Sequence, residues 1–268
     1  MAAAFARRAD SDALPVNGLE ERIQAAIRAD AVRSRDVVEV GPFVATFTSG
    51  STNPFLNYAI PIAGARPTGD DIASLGREFE RRGRRPRLEY LPSLAPEVEP
   101  ALLAHGYTVE LRTPLMTCTE VDAGGEPEGV EVRLVESDDD IRAAVTAQDE
   151  AYGELGSADD ARVGRVRESL EAGGLLVLAR DGTTGEPAGG GACTPPYDGA
   201  TELAGVGVRP AFRRRGIAAA VTALLARTML DRGVATVFLM AAGDGEARIY
   251  ERVGFARIGE VLHISRPR

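Results

Sequence analysis

Apolar residues recur along this chain with the 3.6-residue period of helices or the two-residue period of strands. In the first half the pattern predicts, in order, a helix at 19–33, strands within 37–48 and at 58–62, a helix at 70–82, a strand at 87–91, a helix at 97–104 and a strand at 107–117. In the second half it predicts a strand at 130–135, helices at 138–154 and 158–172, strands at 175–180, 188–194 and 200–208, a helix at 215–231, a strand at 236–241, a helix at 245–253 and a strand pair within 255–265. The consecutive strands in this series indicate a mixed α/β fold (an α+β mixed sheet) rather than a doubly wound one.

Local composition predicts how the chain is organised. Residues 122–129 are rich in Gly, Pro and acidic residues and lack apolar periodicity, which is typical of a linker. We therefore predict a flexible N-terminus at 1–17, an N-terminal domain at 18–121, this linker, and a C-terminal domain at 130–268.

The two halves share a local pattern near their ends. Each contains a strand, a helix and then a Gly-aromatic pair that opens the next strand, Gly106-Tyr107 in one half and Gly254-Phe255 in the other. The shared order predicts a repeated unit, although Gly also ends many unrelated helices.

Composition and charge limit the possible functions. The chain is 44% hydrophobic and 26% charged, and its net charge of -9 argues against a nucleic-acid-binding surface and is compatible with a cationic substrate. We find no apolar run of the ~20 residues that a membrane span needs and no apolar core of a signal peptide, so we predict no membrane partner. The two cysteines, Cys118 and Cys193, lack metal-ligand spacing, so we predict no metal site and a cytoplasmic location.

The segment from Val206 to Ala218 carries the strongest chemical signal. An alternating strand leads through a Pro turn into three arginines, a glycine and a strongly helical run. A helix N-terminus offers unpaired N–H groups and partial positive charge, and a glycine there allows a ligand to approach closely. The pattern therefore predicts a pyrophosphate site, while an ordinary helix start with solvated arginines is the alternative. The residues that we predict to bind this ligand are Val206, Gly207, Val208, Arg213, Arg214, Arg215, Gly216, Ile217 and Ala218.

This segment resembles the signature of the GNAT N-acetyltransferase superfamily. Arg213-x-x-Gly216-x-Ala218 is similar to that family's Arg/Gln-x-x-Gly-x-Gly/Ala loop, and the sequence from Tyr250 to Phe255 is similar to its second signature, a Tyr-bearing helix that ends in Gly-Phe. The resemblance covers about residues 130–265 and implies the GNAT fold, with acetyl-CoA as co-substrate held by the loop amides. It departs from the family before the Tyr helix, where many members have Asn and this chain has a Gly-Asp-Gly-Glu sequence at 243–246.

The resemblance implies an acetyl transfer to a primary amine of a small molecule or peptide. Such an amine has a pKa near 10 and must lose a proton before it attacks. Tyr250 is the predicted acid for the leaving thiolate, and Glu202 is the predicted base. Since Val208 lies six positions after Glu202 on one strand, and alternate residues of a strand face the same side, we expect the two side chains to face the same side. Tyr152, Glu154 and Asp198 are further candidates to line the amine pocket.

The first half lacks both signatures at the matching positions. Asp70 and Asp71 would occupy the helix N-terminus there and repel a pyrophosphate, and Leu102 occupies the position that corresponds to Tyr250. We therefore predict two GNAT-like units in tandem, with a degenerate first unit that walls the acceptor pocket. A non-catalytic acyl-CoA-binding sensor or scaffold and a thiol-biosynthesis acetyltransferase remain alternatives, and a homodimer remains possible.

Overall fold

A computed structural model describes residues 16–33, 35–122, 125, 127–154 and 158–267. Most of the predicted N-terminal segment at 1–17 and part of the predicted linker at 122–129 lie outside these residues. Within the described chain the elements are, in order, α1 (Val16–Arg33), β1 (Asp36–Val40), β2 (Phe43–Phe47), β3 (Asn57–Pro61), α2 (Gly69–Arg81), β4 (Arg87–Tyr90), α3 (Val98–Ala104), β5 (Thr108–Cys118), β6 (Val130–Leu134), α4 (Asp138–Tyr152), α5 (Asp160–Glu171), β7 (Leu175–Asp181), β8 (Pro187–Cys193), β9 (Ala200–Val208), α6 (Ile217–Asp231), β10 (Thr236–Met240), α7 (Asp244–Glu251) and β11 (Ala256–Ser265).

All of these strands join one sheet in the order β1-β2-β3-β4-β11-β5-β10-β9-β8-β7-β6. The last strand of each half has crossed to the other half, because β11 pairs antiparallel with β4 and β5 pairs antiparallel with β10. The two exchanged strands also pair with each other, from Ala256 opposite Thr117 to Ser265 opposite Thr108. The halves are therefore joined through the centre of the sheet.

Helices cover both faces of the sheet. On one face α6 and α7 pack on β7–β10 through a core that includes Val177, Leu203, Val221 and Leu225, and α2 and α3 pack on β4 and β11. On the other face α4 and α5 cover β7, and α1 lies across the join between the halves, where Ile23 and Ile27 contact a cluster that includes Phe238. We call these the α6 face and the α1 face.

A buried charged network lies where the exchanged strands meet β4. Arg87, whose side chain is fully buried, donates from Nε to Glu110 Oε2 at 2.9 Å and from Nη1 to Glu89 Oε2 at 3.0 Å. Its Nη2 lies 2.6 Å from Nδ1 of His263, a residue of β11. Because a buried charge is stable only when it is paired, this network ties the two halves together.

Two predicted elements differ from the observed ones. The strand-like run at 37–48 is a hairpin, since Gly41 adopts a left-handed φ of 52° and turns the chain between β1 and β2. The predicted strand pair at the C-terminus is wrong: β11 is one strand, and the irregularity between Arg257 and Gly259 is a bulge rather than a turn. Both edges of β11 are paired, which favours a single long strand at this position.

Candidate active site

The central feature of the site is a split between the parallel strands β9 and β10. They pair only from Ala200 opposite Thr236 to Glu202 opposite Phe238, although β9 continues to Val208 and β10 to Met240. Beyond Glu202, β10 stays paired with β5 instead. One edge of β9 therefore faces an opening in the sheet rather than a neighbouring strand.

A β-bulge shapes the part of β9 that borders the split. Between the pairs Ala192–Ala204 and Gly190–Gly207, β9 has one residue more than β8. Gly205 adopts a φ of 64° at this point, in the left-handed region that favours glycine. The extra residue changes which side chains of β9 face each side of the sheet.

The expectation that Glu202 and Val208 face the same side is wrong. Leu203 and Val208 both contact the core of the α6 face. Val208 lies five positions after Leu203, an odd offset that would put the two side chains on opposite faces of a regular strand. The bulge therefore reverses the alternation between these two residues. Glu202 is registered with Phe238, which packs under α1, so Glu202 lies on the α1 face.

Main-chain groups of β9 line the open edge. Arg209 donates its N–H to Ala188 on β8, and Gly207 is opposite Gly190, so the intervening Val208 directs its own N–H and C=O toward the split. Arg213 Nε donates to the Val208 carbonyl at 3.1 Å. The split is thus bordered by polar main chain as well as by side chains.

The helix that follows the split begins without a cap. α6 starts at Gly216, whose φ is 80° and which offers no side-chain hydrogen bond to the first N–H groups. In contrast, Ser137 and Asp159 cap α4 and α5 with side-chain oxygens. Among the described residues, a Cβ at Gly216 would have only Pro127 near it, at 3.9 Å, so this part of the chain leaves the helix N-terminus open to a ligand. Uncapped amides and the helix dipole favour an anion here.

The three arginines before Gly216 have different environments. Arg213 donates to the carbonyls of Val208 and Ala151, and Arg215 forms an ion pair with Asp181 at 2.8 Å. The pKa of Asp181 falls to about 2 because it accepts from the Thr184 main chain and from Arg215. Arg214 is exposed, adopts a φ of 63°, and forms no ion pair with a described residue. Within the described part of the chain, Arg214 therefore has an exposed, unpaired charge, whereas Arg213 and Arg215 already hold the loop.

The remaining predicted loop residues act through their main chain. Ile217 is buried in the core of the α6 face, and Ala218 is half-buried on the first turn of α6, so both present N–H groups rather than side chains at the helix start. Gly207 lets α4 approach closely, since a Cβ there would lie 2.9 Å from that of Ala151. Val206 and Val208 anchor the open segment by packing on the α6 face.

Tyr250 lies on the α6 face near the end of the split. It is half-buried and packs edge-on against Phe255, with ring centroids 6.2 Å apart. Burial raises the pKa of Tyr250, and the nearby Glu246 and Tyr152 raise it further, so the phenol is protonated at neutral pH. Tyr152 reaches the same region from α4 and donates to the Val206 carbonyl at 3.2 Å.

Glu202 lies on the opposite face, at the closed end of the split. The pKa of Glu202 is raised to about 8, chiefly by burial and further by the negative charges of Glu89 and Asp30. The positive charge of Arg35 acts in the opposite direction and lowers it. Glu89 and Asp30 both belong to the N-terminal half. Tyr58, also from that half, is buried beneath the Arg35 guanidinium, whose carbon lies 4.8 Å from the ring centroid. The two predicted catalytic residues thus approach the split from different faces.

Other candidates are placed less favourably. Asp198 lies in the turn before β9, at the far end of that strand, and pairs with Arg22 at 3.8 Å. Glu154 is exposed just beyond α4. Asp244, in the segment at 243–246 where many family members have Asn, pairs with Arg257 at 3.6 Å. Among the residues that the structure describes, no three His, Cys, Asp or Glu side chains could hold a metal ion, and no helix is long and apolar enough to span a membrane.

The corresponding position in the N-terminal half is closed. There β3 and β4 pair in parallel only at Ala59 opposite Leu88, so they also diverge. However, Thr68 and Asp71 form a capping box that occupies the first N–H groups of α2. Leu102, at the position that corresponds to Tyr250, is fully buried. Of α2 and α6, the two helices at corresponding positions of the halves, only α6 therefore begins without a side-chain cap.

One site residue was missed in the sequence. Gln148, on α4, donates from Nε2 to the carbonyl of the bulged Gly205 at 2.6 Å. A single Gln in an amphipathic helix carries no local signal of such a contact, because the contact depends on where the bulge lies in a strand 57 residues away.

Comparisons with known proteins agree on one family. Residues 141–255 match the acetyltransferase (GNAT) family. The structure of a GCN5-related N-acetyltransferase from Kribbella flavida is 27% identical to this chain, covers 93% of it and 96% of its own length, and gives a TM-score of 0.76.

More distant structures share the fold. A GCN5-related N-acetyltransferase from Sphaerobacter thermophilus is 20% identical with a TM-score of 0.65, covering 94% of this chain and 93% of its own. A tandem GNAT protein from the clavulanic acid biosynthesis pathway is 15% identical with a TM-score of 0.61, covering 95% of each chain. No curated protein is significantly similar in sequence.

Proposed function

We propose that this chain is an acetyl-CoA-dependent N-acetyltransferase that acts on a primary amine of a small molecule or peptide, because residues 141–255 match the GNAT acetyltransferase family. The observation that carries this proposal is the split between β9 and β10, which leads directly into the uncapped N-terminus of α6 at Gly216. An extended polar ligand with a pyrophosphate at one end fits such an arrangement, since it needs a free strand edge and then an anion site.

The loop residues would hold the co-substrate. The N–H groups from Gly216 to Ala218 and the exposed Arg214 would bind the pyrophosphate. The open edge of β9 around Val208 would pair with the amide-bearing arm, and N–H groups there would stabilise negative charge that develops on the thioester oxygen. Acetyl-CoA supplies the activated acetyl group, and the protein supplies orientation and proton transfer.

Glu202 would serve as the base. Its pKa of about 8 lies close to the working pH, which is the range in which a general base is most effective. It lies at the closed end of the split, beside the point at which β9 and β10 separate. Glu202 would take the proton that the ammonium group must lose before its nitrogen forms a bond to the acetyl carbon.

Tyr250 would serve as the acid. Its pKa is raised by burial and by Glu246, so it holds its proton at neutral pH and can give it to the thiolate as the carbon–sulfur bond breaks. Tyr250 approaches from the α6 face and Glu202 from the α1 face. The amine would then enter from the α1 face, opposite the face that carries Tyr250.

The N-terminal half would form the wall of the acceptor site. Asp30, Tyr58 and Glu89 surround Glu202 from that half, and its own helix start is closed by the capping box. Two acidic groups beside the base favour a cationic acceptor. We therefore assign the first half as a degenerate GNAT-like unit that shapes the acceptor pocket without binding acetyl-CoA.

Substitution of Gly216 tests the proposal, with Gly233 as the matched control. Both glycines have a positive φ, 80° and 85°, at opposite ends of α6, and neither is closely packed. Gly216→Asp places a carboxylate at the anion site and should abolish CoA binding in calorimetry. Gly233→Asp has the same change of charge and a similar backbone penalty, and should retain it.

Turnover is then measured by acetyl-CoA consumption with amines, peptides and aminoglycosides. Transfer to an amine supports the proposal. If the wild-type protein binds no CoA, or if both glycine variants bind it equally to wild type, the proposed site is wrong. Binding without transfer to any amine would instead indicate the non-catalytic sensor.

A further inference from the structure

We propose that Gln148 is a positioning residue for acetyl transfer, which it serves by fixing the bulge in β9; this inference rests on the proposed function. Its Nε2 donates to the Gly205 carbonyl at 2.6 Å, and Gly205 is the residue at which the alternation of β9 reverses. A Cβ at Gly205 would lie 2.9 Å from the same Nε2, so the amide fills the space above the glycine.

The last turns of α4 contact the whole open segment of β9. Tyr152, one helical turn after Gln148, donates to the next carbonyl, that of Val206. Ala151 packs on Gly207, and its carbonyl accepts from Arg213, which also binds the Val208 carbonyl. The C-terminal end of α4 therefore contacts Gly205, Val206 and Gly207 directly, and it contacts Val208 through Arg213.

The bulge needs such support because the sheet does not hold it on both sides. From Leu203 onward β9 pairs with β8 but not with β10. If β9 lost the extra residue, the register of the Ala192–Ala204 pair would continue along the strand, so Val208 would lie opposite Ala188 and its N–H would turn toward β8. Gln148 selects the register in which Val208 faces the split, because only that register brings the Gly205 carbonyl to its amide.

The chemistry of Gln148 makes this role specific. The contact needs an N–H donor at the length of a Gln side chain. Methionine has a similar length but no donor, and asparagine has the donor on a side chain shorter by one methylene. Both substitutions should therefore release the bulge while leaving the pyrophosphate site at Gly216 intact.

The test compares Gln148→Met and Gln148→Asn with Asp149→Asn. Asp149 is the next residue on α4 but pairs with Arg162 on α5, at 2.8 Å, so its variant perturbs the same helix away from β9. For both Gln148 variants we expect kcat to fall by roughly 10- to 100-fold, as for a misplaced reacting group, while the affinity for ADP, which carries the pyrophosphate without the amide-bearing arm, stays within about threefold of wild type. Asp149→Asn should retain the wild-type kcat even if its Tm falls.

A spectroscopic measurement does not depend on the acceptor. When [1-¹³C]acetyl-CoA binds the wild-type protein, hydrogen bonds to the thioester oxygen should lower the frequency of its infrared carbonyl band. With Gln148→Met bound to the same ligand, that lowering should be reduced. Because a variant with lower stability alone would leave the band of the folded complex unchanged, this shift reports on positioning.

The outcomes separate the two proposals. If the wild-type protein turns over acetyl-CoA and the Gln148 variants match it in kcat and band position, the role of Gln148 is refuted and the enzyme assignment stands. If Asp149→Asn loses as much kcat as Gln148→Met, the effect belongs to α4 in general and the inference also fails. If the wild-type protein neither binds nor consumes acetyl-CoA, the proposed function fails first and this role with it.

Discussion

Replacing Glu202 with glutamine removes a carboxyl that the folded protein prefers to keep protonated. Its pKa is raised from the ordinary 4.5 to about 8, first by burial and then by the charges of Glu89 and Asp30. A raised pKa means that the folded state binds the proton more tightly than the unfolded state does. The wild type therefore loses stability as the pH rises from about 4.5 to 8. The glutamine variant, which never ionises, should not lose it.

The size of the effect follows from the separation between the two pKa values. Each pH unit of separation corresponds to about 1.4 kcal/mol, so full ionisation of Glu202 costs on the order of 5 kcal/mol. Below pH 5 the two proteins should be nearly equal in stability, and above pH 8 the glutamine variant should be more stable. For a chain of this size the difference corresponds to roughly 8 °C in Tm.

Thermal unfolding of both proteins between pH 5 and pH 9 measures this difference. Glu171→Gln is the control, because it makes the same change from carboxyl to amide at an exposed residue at the end of α5. The control should follow the wild type at every pH. A Tm difference for Glu202→Gln that stays constant from pH 5 to pH 9, or that favours the wild type at pH 9, would refute the reasoning.

Three further predictions follow from other sites. Tyr250→Phe should lower kcat at least tenfold while CoA affinity in calorimetry is unchanged, and an unaltered kcat would remove its assignment as the acid. Arg87→Met should lower the free energy of unfolding in urea by roughly 3–5 kcal/mol, because it removes the buried cation shared by Glu89, which is buried, and Glu110, which is half-buried, whereas exposed Arg77→Met should change it by less than about 1 kcal/mol. Asp140, whose pKa is lowered to about 2 chiefly by Arg133, should contribute on the order of 2 kcal/mol at pH 7, so the stability lost in Asp140→Asn should disappear as the pH falls from 4 to 2; a gap that persists at pH 2 would contradict this.

Local patterns predicted most of the helices and strands well. The bounds of β9 match the prediction, and α2 and α6 begin within two residues of it, because apolar periodicity and turn residues are local features. The shared strand–helix–strand order near the end of each half is also present in the structure, with Gly106 and Gly254 both at positive φ. These features depend on short stretches of chain, so a single sequence contains them.

Features that depend on pairing between distant strands could not be predicted in this way. Simple alternation along β9 placed Val208 on the same face as Glu202, which is wrong. A bulge is defined by how a strand pairs with its neighbour, so the sequence of β9 alone does not reveal it. The contact of Gln148 with Gly205 depends on that same bulge. The crossing of β5 and β11 between the halves was not predicted either, since both strands carry ordinary apolar patterns that fit either neighbour.

The strand exchange also explains why the split remains open. A parallel pair such as β9 and β10 gains hydrogen bonds by closing. Beyond Phe238, however, β10 keeps its pairing with β5 up to Met240 opposite Leu115, so it follows the course of β5 rather than that of β9. β5 in turn is fixed by the long ladder with β11. The N-terminal half therefore supports the candidate active site in two ways, since it places acidic groups beside Glu202 and also supplies the strand that holds β10 apart from β9.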